Sequence, residues 1–365
     1  MSRLPSRLAV LPRAALSTLK NRRRPGDVRR ILIAHNLLLG DTLMLTALLA
    51  RLRTQWPQAR ISMTVAPALA ALYAGRPYGV DILPYDIHRA STTRRIVRSG
   101  PYDLALVPGD NRSTWLARAA GARWVVALDE PGTRLRNRAV DESIAWPAAP
   151  MALADMFALL AGADGGETYD LAKWPAPAHE PFDRPAAPYC VLHVGAGSPL
   201  RHWPAARWMA LAQSLATQGL TPVWSGSVQE EPLIATIDPQ GRFASCAGKL
   251  SLAQLWHLLQ GAALLVVPDT GIAHLAKLTG TPTVCLFGPG SDVLFGAGRF
   301  WRNHRFIPVI EADFPCRDQR TLFGRHIEWV RRCQRSTAQC AAPACMQALD
   351  TGRVIAACRQ LLGPA

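Results

Sequence analysis

An α/β fold of two doubly wound parallel-sheet domains is predicted from three features of the 365-residue sequence. Short apolar runs of strand length alternate with amphipathic stretches of helix length along most of the chain, the pattern of a parallel sheet wound with helices. The alternation breaks at 164–188, which is rich in Pro and Gly and lacks apolar periodicity, so it reads as a linker. A chain of this length also exceeds one ordinary core, so two domains are expected. The boundaries follow: a basic tail over 1–30, a first domain over 31–175, a linker over 176–188, a second domain over 189–350 and a C-terminal helix over 351–365.

The tail carries Arg3, Arg7, Arg13, Lys20, Arg22, Arg23, Arg24, Arg29 and Arg30 against one acid, Asp27. Leu4, Leu8, Leu11, Ala15 and Leu19 recur at helical spacing, interrupted by Pro5 and Pro12. Such a stretch suits an anionic membrane face; a solvated tail and an organelle transit peptide share its composition. It has no apolar core followed by a cleavage site, so a secretory signal is not expected.

The first domain opens with a strand at 31–34, a turn at 35–40 and a helix at 41–55 with Leu45, Leu48, Leu49 and Leu52 on one stripe. Strands follow at 61–65, 82–83, 104–107 and 124–128, with helices near 92–99 and 115–120. Asp41 falls where the first strand's carboxyl end meets a helix N-terminus. It reads either as an N-cap or as a carboxylate facing the switch-point crevice of the sheet, placed to take a proton from an incoming hydroxyl.

The second domain repeats the pattern: a strand at 189–194, a helix at 205–218, a strand at 221–224, a helix near 230–237 and a helix at 252–260. Its best-formed stretch is 264–290, LLVVPDTGIAHLAKLTGTPTVCLFGPG. Residues 264–267 read as a strand stopped by Pro268, 272–278 as a short helix ended by Gly280 and Pro282, and 283–287 as the next strand. A helix starting beyond the carboxyl end of a parallel strand aims free N–H groups and its dipole at the crevice, which suits phosphate. Thr270 adds a hydroxyl, Gly271 removes a side chain that would obstruct a pyrophosphate, and His274 lies one turn on. The plainer reading is that Asp269 and Thr270 cap the helix. The small-residue turn Gly195-Ala196-Gly197-Ser198 is a second phosphate candidate, with Arg201 or His202 beside it; an Arg fork matches two phosphate oxygens. Glu230 and Glu231 suit ribose hydroxyls, or equally a helix start that favours acids. A final helix over 351–362 is expected to cross back to the first domain.

Composition sets further bounds. The net charge is +15 at pH 7, which suits a polyanionic partner. Basic residues are scattered and no DNA-binding spacing occurs, so nucleic acid is not the expected partner. No apolar run is long enough to span a membrane. Cys190, Cys246 and Cys285 read as buried small hydrophobes. Cys316, Cys333, Cys340 and Cys345 lie in Arg-rich sequence at spacings that fit no common zinc knuckle; a structural metal, a disulfide and reduced thiols all stay open. Residues 313–335 read as an insertion near the cleft with a basic face.

Five motifs now stand together: Gly40-Asp41-Thr42 with Thr46; His193 through Trp203, ending in Arg201-His202-Trp203-Pro204; Ala247-Gly248-Lys249-Leu250-Ser251-Leu252; Asp269-Thr270-Gly271-Ile272-Ala273-His274-Leu275-Ala276; and Leu286-Phe287-Gly288-Pro289. In this order the chain resembles the ADP-heptose:lipopolysaccharide heptosyltransferases of glycosyltransferase family 9, over roughly residues 31–361. The resemblance implies the GT-B architecture, two Rossmann-like domains facing a cleft. It implies inverting, metal-independent transfer of heptose from ADP-heptose, a donor substrate and not a cofactor, to lipopolysaccharide inner core or a lipid-linked phosphorylated acceptor. Asp41 then matches the catalytic base, with Gly40 and Thr42 on the acceptor side. Asp269, Thr270, Gly271 and His274 match the donor motif. Arg201 falls where many members carry a lysine, and Glu230 or Glu231 would hold the ribose. The expected location is the cytoplasm, at the inner face of the inner membrane if the tail binds lipid. A transferase with another nucleotide-sugar donor or acceptor, or a non-catalytic nucleotide-binding module, are the alternatives.

Overall fold

The computed structural model describes residues 22–130, 137–162, 165–186 and 188–363, together with Val10, Arg13 and Ala14. Most of the predicted tail therefore lies outside the described residues. The chain divides into two compact units. Met1–Pro177 with Thr321–Glu328 forms the first, and Ala178–Arg320 with Trp329–Ala365 forms the second.

Each unit is built on a six-stranded sheet whose neighbouring strands are all parallel. The first contains β1 (Arg30–Ile33), β2 (Arg60–Val65), β3 (Val80–Pro84), β4 (Tyr102–Val107), β5 (Ala122–Leu128) and β6 (Glu142–Ile144), in the order β3-β2-β1-β4-β5-β6. The second contains β7 (Tyr189–His193), β8 (Thr221–Ser225), β9 (Ala244–Ser245), β10 (Leu264–Pro268), β11 (Thr283–Phe287) and β12 (Phe306–Ile310), in the order β12-β11-β10-β7-β8-β9. Central strands buried on both faces read as unbroken apolar runs; Ile31, Leu32 and Ile33 are fully buried, as are Leu264 through Val267. Each sheet reverses its winding once, between β1 and β4 and between β7 and β10. These switch points open a crevice at the carboxyl ends of the strands.

Three departures from the sequence reading have physical causes. The helix expected over 41–55 is two helices, Leu39–Met44 and Thr46–Gln55, with Leu45 between them. Thr42 Oγ1 donates back to the Leu37 carbonyl (3.2 Å) and Thr46 Oγ1 to the Leu43 carbonyl (2.6 Å), and such hydroxyl bonds compete with regular helix. Strands β6, β9 and β12 are edge strands that the apolar pattern does not reveal: β6 reads ESI, β9 has two residues, and β12 carries Pro308. The helix Thr351–Leu362, read from sequence as a separate C-terminal segment, belongs to the second unit; Val354, Ala357, Cys358 and Leu361 pack in its core with Cys190, Leu192, Trp208 and Leu211.

One hairpin is far from its sequence neighbours. β13 (Thr321–Leu322) and β14 (Arg325–His326) pair antiparallel and belong to the first unit, although the flanking chain belongs to the second. Arg325 is the anchor. Buried with Glu130, it donates to Glu130 Oε2 (3.1 Å) and Asn111 Oδ1 (3.3 Å), and its guanidinium lies over the Trp146 ring. Glu130 also accepts from the Asn111 N–H (2.8 Å). All eight cysteines are free thiols, Cys316, Cys333, Cys340 and Cys345 included.

Two predictions follow from burial. Removing one partner of a buried ion pair strands the other, at about 3–5 kcal/mol; Arg325→Met is therefore expected to lower the first unit's urea unfolding midpoint, and an unchanged midpoint would show that the hairpin is not anchored there. Burial also lowers the pKa of His35 to about 3 and of His193 to about 4. Below pH 6.5 the unfolded chain binds protons that these folded histidines do not. Stability should therefore fall as the pH drops from 6.5 toward those values, by about 2 kcal/mol per histidine at pH 5, measurable as unfolding midpoints at pH 7.5 and 5.

Candidate functional site

In the second unit the site forms after β10. Pro268 is the strand's last residue, in register with Leu286, and the Asp269 N–H continues the ladder to the Leu286 carbonyl (3.0 Å). The helix then runs Gly271–Thr279, with Thr270 at the N-cap position but making no side-chain cap bond. The simple capping reading of Asp269 and Thr270 thus fails. The first-turn N–H groups have no side-chain acceptor, an arrangement that favours an anion.

Asp269 turns inward. It is 5 % exposed and its Oδ2 makes no hydrogen bond. A Cβ at position 290 would lie 2.0 Å from that oxygen, so Gly290 is what lets the carboxylate pack there. Burial pushes the Asp269 pKa up, while Arg201, Arg332 and Lys277 pull it down. Arg201, at the end of the short 3-10 turn Pro199–Arg201, donates to the Asp269 carbonyl (2.7 Å). It therefore ties the loop after β7 to the loop after β10, across the switch point. His274 is buried and held well below its ordinary pKa by desolvation, with Lys277 adding to the effect. It faces the Lys277 Nζ (3.4 Å) and the edge of Phe295; it backs the helix tip from inside.

The other two donor candidates lie along the same unit's strand ends. Glu230 closes a capping box with Ser227, accepting from the Ser227 N–H (2.6 Å) and hydroxyl. Its carboxyl also packs on Gly195, where a Cβ would lie 2.7 Å from Glu230 Cδ. Glu231 opens the helix Glu231–Ile237, is exposed, and points an oxygen at Gly248. Glu230, in the turn after β8, thus packs on the turn after β7, and Glu231 on the Gly248 loop. His202 is half-buried, its pKa lowered by desolvation and partly restored by Glu230.

In the first unit Asp41 is the third residue of Leu39–Met44, half-exposed, and the N-cap position is held by Leu38 without a side-chain bond. The N-cap reading of Asp41 is therefore incorrect. The turn before it is fixed by buried polar groups. Neutral His35 accepts the Leu37 N–H at Nδ1 (3.2 Å), while Thr64 Oγ1 accepts the His35 N–H and donates to its carbonyl, both at 2.7 Å. Thr42 is fully buried and acts through the Leu37 carbonyl; Gly40 lies between them in the helix's first turn.

Sequence reading missed Lys277, which has no exposed surface. It donates to the Phe295 (2.8 Å) and Gly296 (2.5 Å) carbonyls and lies over the Phe306 and Trp301 rings. A lone Lys among apolar residues was the available signal. The hairpin Arg325 had no local signal at all.

With this geometry in place, comparison with known proteins is informative. The family model described as glycosyltransferase family 9 (heptosyltransferase) matches residues 90–325, which includes Arg201, Glu230, Glu231, Asp269, Thr270, Gly271 and His274 and leaves Asp41 outside. Lipopolysaccharide heptosyltransferase 1 of Pseudomonas aeruginosa is 28 % identical over 312 residues, 79 % of this chain and 85 % of that protein. Among solved structures, E. coli ADP-heptose lps heptosyltransferase II matches with a TM-score of 0.66 at 20 % identity, covering 92 % of this chain and 98 % of that one. E. coli heptosyltransferase WaaC with ADP matches with a TM-score of 0.61 at 19 % identity, covering 77 % and 93 %. The two parallel sheets are the GT-B fold that these structures share, and the chain belongs to glycosyltransferase family 9, the heptosyltransferase family.

Proposed function

We propose that the protein is an inverting transferase that moves a heptose from ADP-heptose to lipopolysaccharide inner core or a related phosphorylated glycolipid. One observation carries the reading: in a chain of the heptosyltransferase family, the helix after β10 starts at Thr270-Gly271 with no side chain capping it. A diphosphate is the ligand such a tip suits. The relatives named above supply the sugar and the acceptor class, and the net charge of +15 suits an anionic glycolipid at a membrane surface. No described helix is long and apolar enough to cross a membrane. The reading places the enzyme on the cytoplasmic side, held to the inner membrane face peripherally by its positive charge.

In this reading Asp41 accepts the proton of the acceptor hydroxyl. The hydroxyl oxygen bonds to the anomeric carbon as the bond from that carbon to the diphosphate oxygen breaks, and ADP leaves with the electron pair. Charge building on ADP is met by the first-turn N–H groups, the Thr270 hydroxyl and the Arg201 guanidinium, which bonds the Asp269 carbonyl through one of its nitrogens. Positive potential of this kind fulfils what a metal would otherwise supply, so the reading requires neither metal nor cofactor. Glu230 is the ribose candidate beside the same turn, Glu231 the alternative.

The roles separate experimentally. Asp41→Asn should lower kcat by about a hundred- to ten-thousandfold while ADP affinity, read by calorimetry, stays near wild type; undiminished turnover would remove Asp41 from the chemistry. Thr270→Val and Arg201→Met should instead weaken ADP binding, Arg201→Met by about tenfold or more because a bond to a charged group is worth about 1.5–3 kcal/mol. A donor screen reading ADP, UDP and GDP release from their sugar conjugates tests the whole reading, and release of UDP or GDP in preference to ADP would overturn it.

A further inference from the structure

The hairpin of the first unit contains a local conflict. Its two-residue loop is Phe323-Gly324, with φ of 49° and 76°. Positive φ at both central positions is the pattern of a type I′ turn, for which Asn-Gly or Gly-Gly is the natural choice. Glycine satisfies the second position; a phenylalanine at the first is strained, since a bulky side chain rarely adopts positive φ. Nothing in the hairpin's own hydrogen bonding calls for an aromatic ring there. A strained residue that persists is a pointer to function.

Its surroundings say which function. Leu322 and Arg325, on either side of the turn, are buried and hold the hairpin in place, so the tip is rigidly presented. The Phe323 ring is half-buried. One side packs toward Phe157, with ring centroids 6.3 Å apart. Its Cε1 would lie 3.7 Å from a Cβ built on Gly109, and Leu37 Cδ2 would lie 3.0 Å from the same point. Gly109 (φ 84°) is in the loop after β4, and Leu37 is in the loop after β1. These loops flank the first sheet's switch point, where such sheets bind ligands. Leu38, the next residue, is 80 % exposed, and the helix holding Asp41 begins immediately after it. A half-exposed aromatic ring, Leu37 and an exposed leucine therefore gather within a few residues of the carboxylate that takes the acceptor's proton in the reading above.

The geometry points to Phe323 as a specificity-determining residue of the acceptor subsite, the exposed part of its ring stacking on the apolar face of the acceptor sugar ring. This rests on the heptosyl-transfer reading, because that reading makes a sugar the group that must lie beside Asp41. A pyranose has one face of C–H groups and a rim of hydroxyls. A fixed aromatic plate suits the first and leaves the second free to face the base. The ring also has only two rotatable bonds to order on binding.

The test uses the full-length protein and, as probe, the delipidated core oligosaccharide of a lipopolysaccharide that lacks heptose. Its dissociation constant is measured by calorimetry for the wild type and for Phe323→Leu, Phe323→Asn and Phe323→Tyr. Phe323→Leu keeps an apolar side chain against Phe157 and removes the aromatic face; Phe323→Asn has the residue type the turn prefers. Both should bind the oligosaccharide roughly three- to tenfold more weakly, the scale of one aromatic contact, with ADP affinity unchanged, and Phe323→Tyr should bind as the wild type does. Wild-type affinity in Phe323→Leu, or no binding of the oligosaccharide to the wild type, overturns the assignment. ADP release from ADP-heptose with the same oligosaccharide judges the transfer reading separately. Transfer by a wild type whose Phe323→Leu variant binds equally well sinks only the role of Phe323, and binding that depends on Phe323 without ADP release sinks only the transfer.

Discussion

The second unit is arranged around one carboxylate that water barely reaches. A buried carboxylate without cations nearby is costly, and Asp269 is met by Arg201, Lys277 and Arg332 from different parts of the chain. Two of them have tethers of their own. Arg201 bonds the Asp269 carbonyl, and Lys277 bonds two carbonyls of the 295–296 turn. The consequence is mechanical as well as electrostatic. The loop after β7, the loop after β10 and the 295–296 turn are linked through charged side chains, Lys277 fully buried among them, which brace the helix that begins at Gly271. Preorganised donors of this kind need no rearrangement when charge develops on a leaving group.

The first unit solves the same problem with neutral groups. The turn between β1 and the Asp41 helix is held by His35, Thr64 and Thr42, each bonded to backbone rather than to another side chain. His35 must stay unprotonated at Nδ1 to accept the Leu37 N–H, and its burial enforces that state. The acid sensitivity expected of the fold therefore acts on the very segment that presents Asp41. The loops after β4 and β5 are bound in turn by Arg325, through Asn111 and Glu130. A residue from the second half of the sequence thus organises strand ends of the first sheet.

This last feature shows what could and could not be read from the sequence. Strand 283–287 and helix 252–260 match their predicted bounds because an apolar run or stripe needs no information from elsewhere. The strand, turn and helix of 264–279 are legible for the same reason, since they follow one another without a break. Asp41 was placed at a helix start, but the break at Leu45 depends on where two threonine hydroxyls find carbonyls, and that is decided by the folded backbone. Glu230 is both a helix-start acid and a neighbour of Gly195, so the two readings of it were never exclusive. The hairpin was invisible because Leu322 and Arg325 gain their meaning from partners about two hundred positions away.

Under the transfer proposed above, the two aspartates sit in contrasting surroundings, and only Asp41 is placed to act as the base. Environments that differ set identical side chains to different tasks. Asp269 is enclosed, its Oδ2 lies against Gly290, and its charge is answered by cations of the protein itself. A proton delivered there would have to pass through the packed interior, and a sugar hydroxyl could not approach. Asp41 is half-exposed in the first turn of its helix. In that proposal a carboxylate that shapes the donor loop is hidden, and one that exchanges protons with a substrate is not. The positions of these two residues follow that division, each at the strand end where its own sheet reverses.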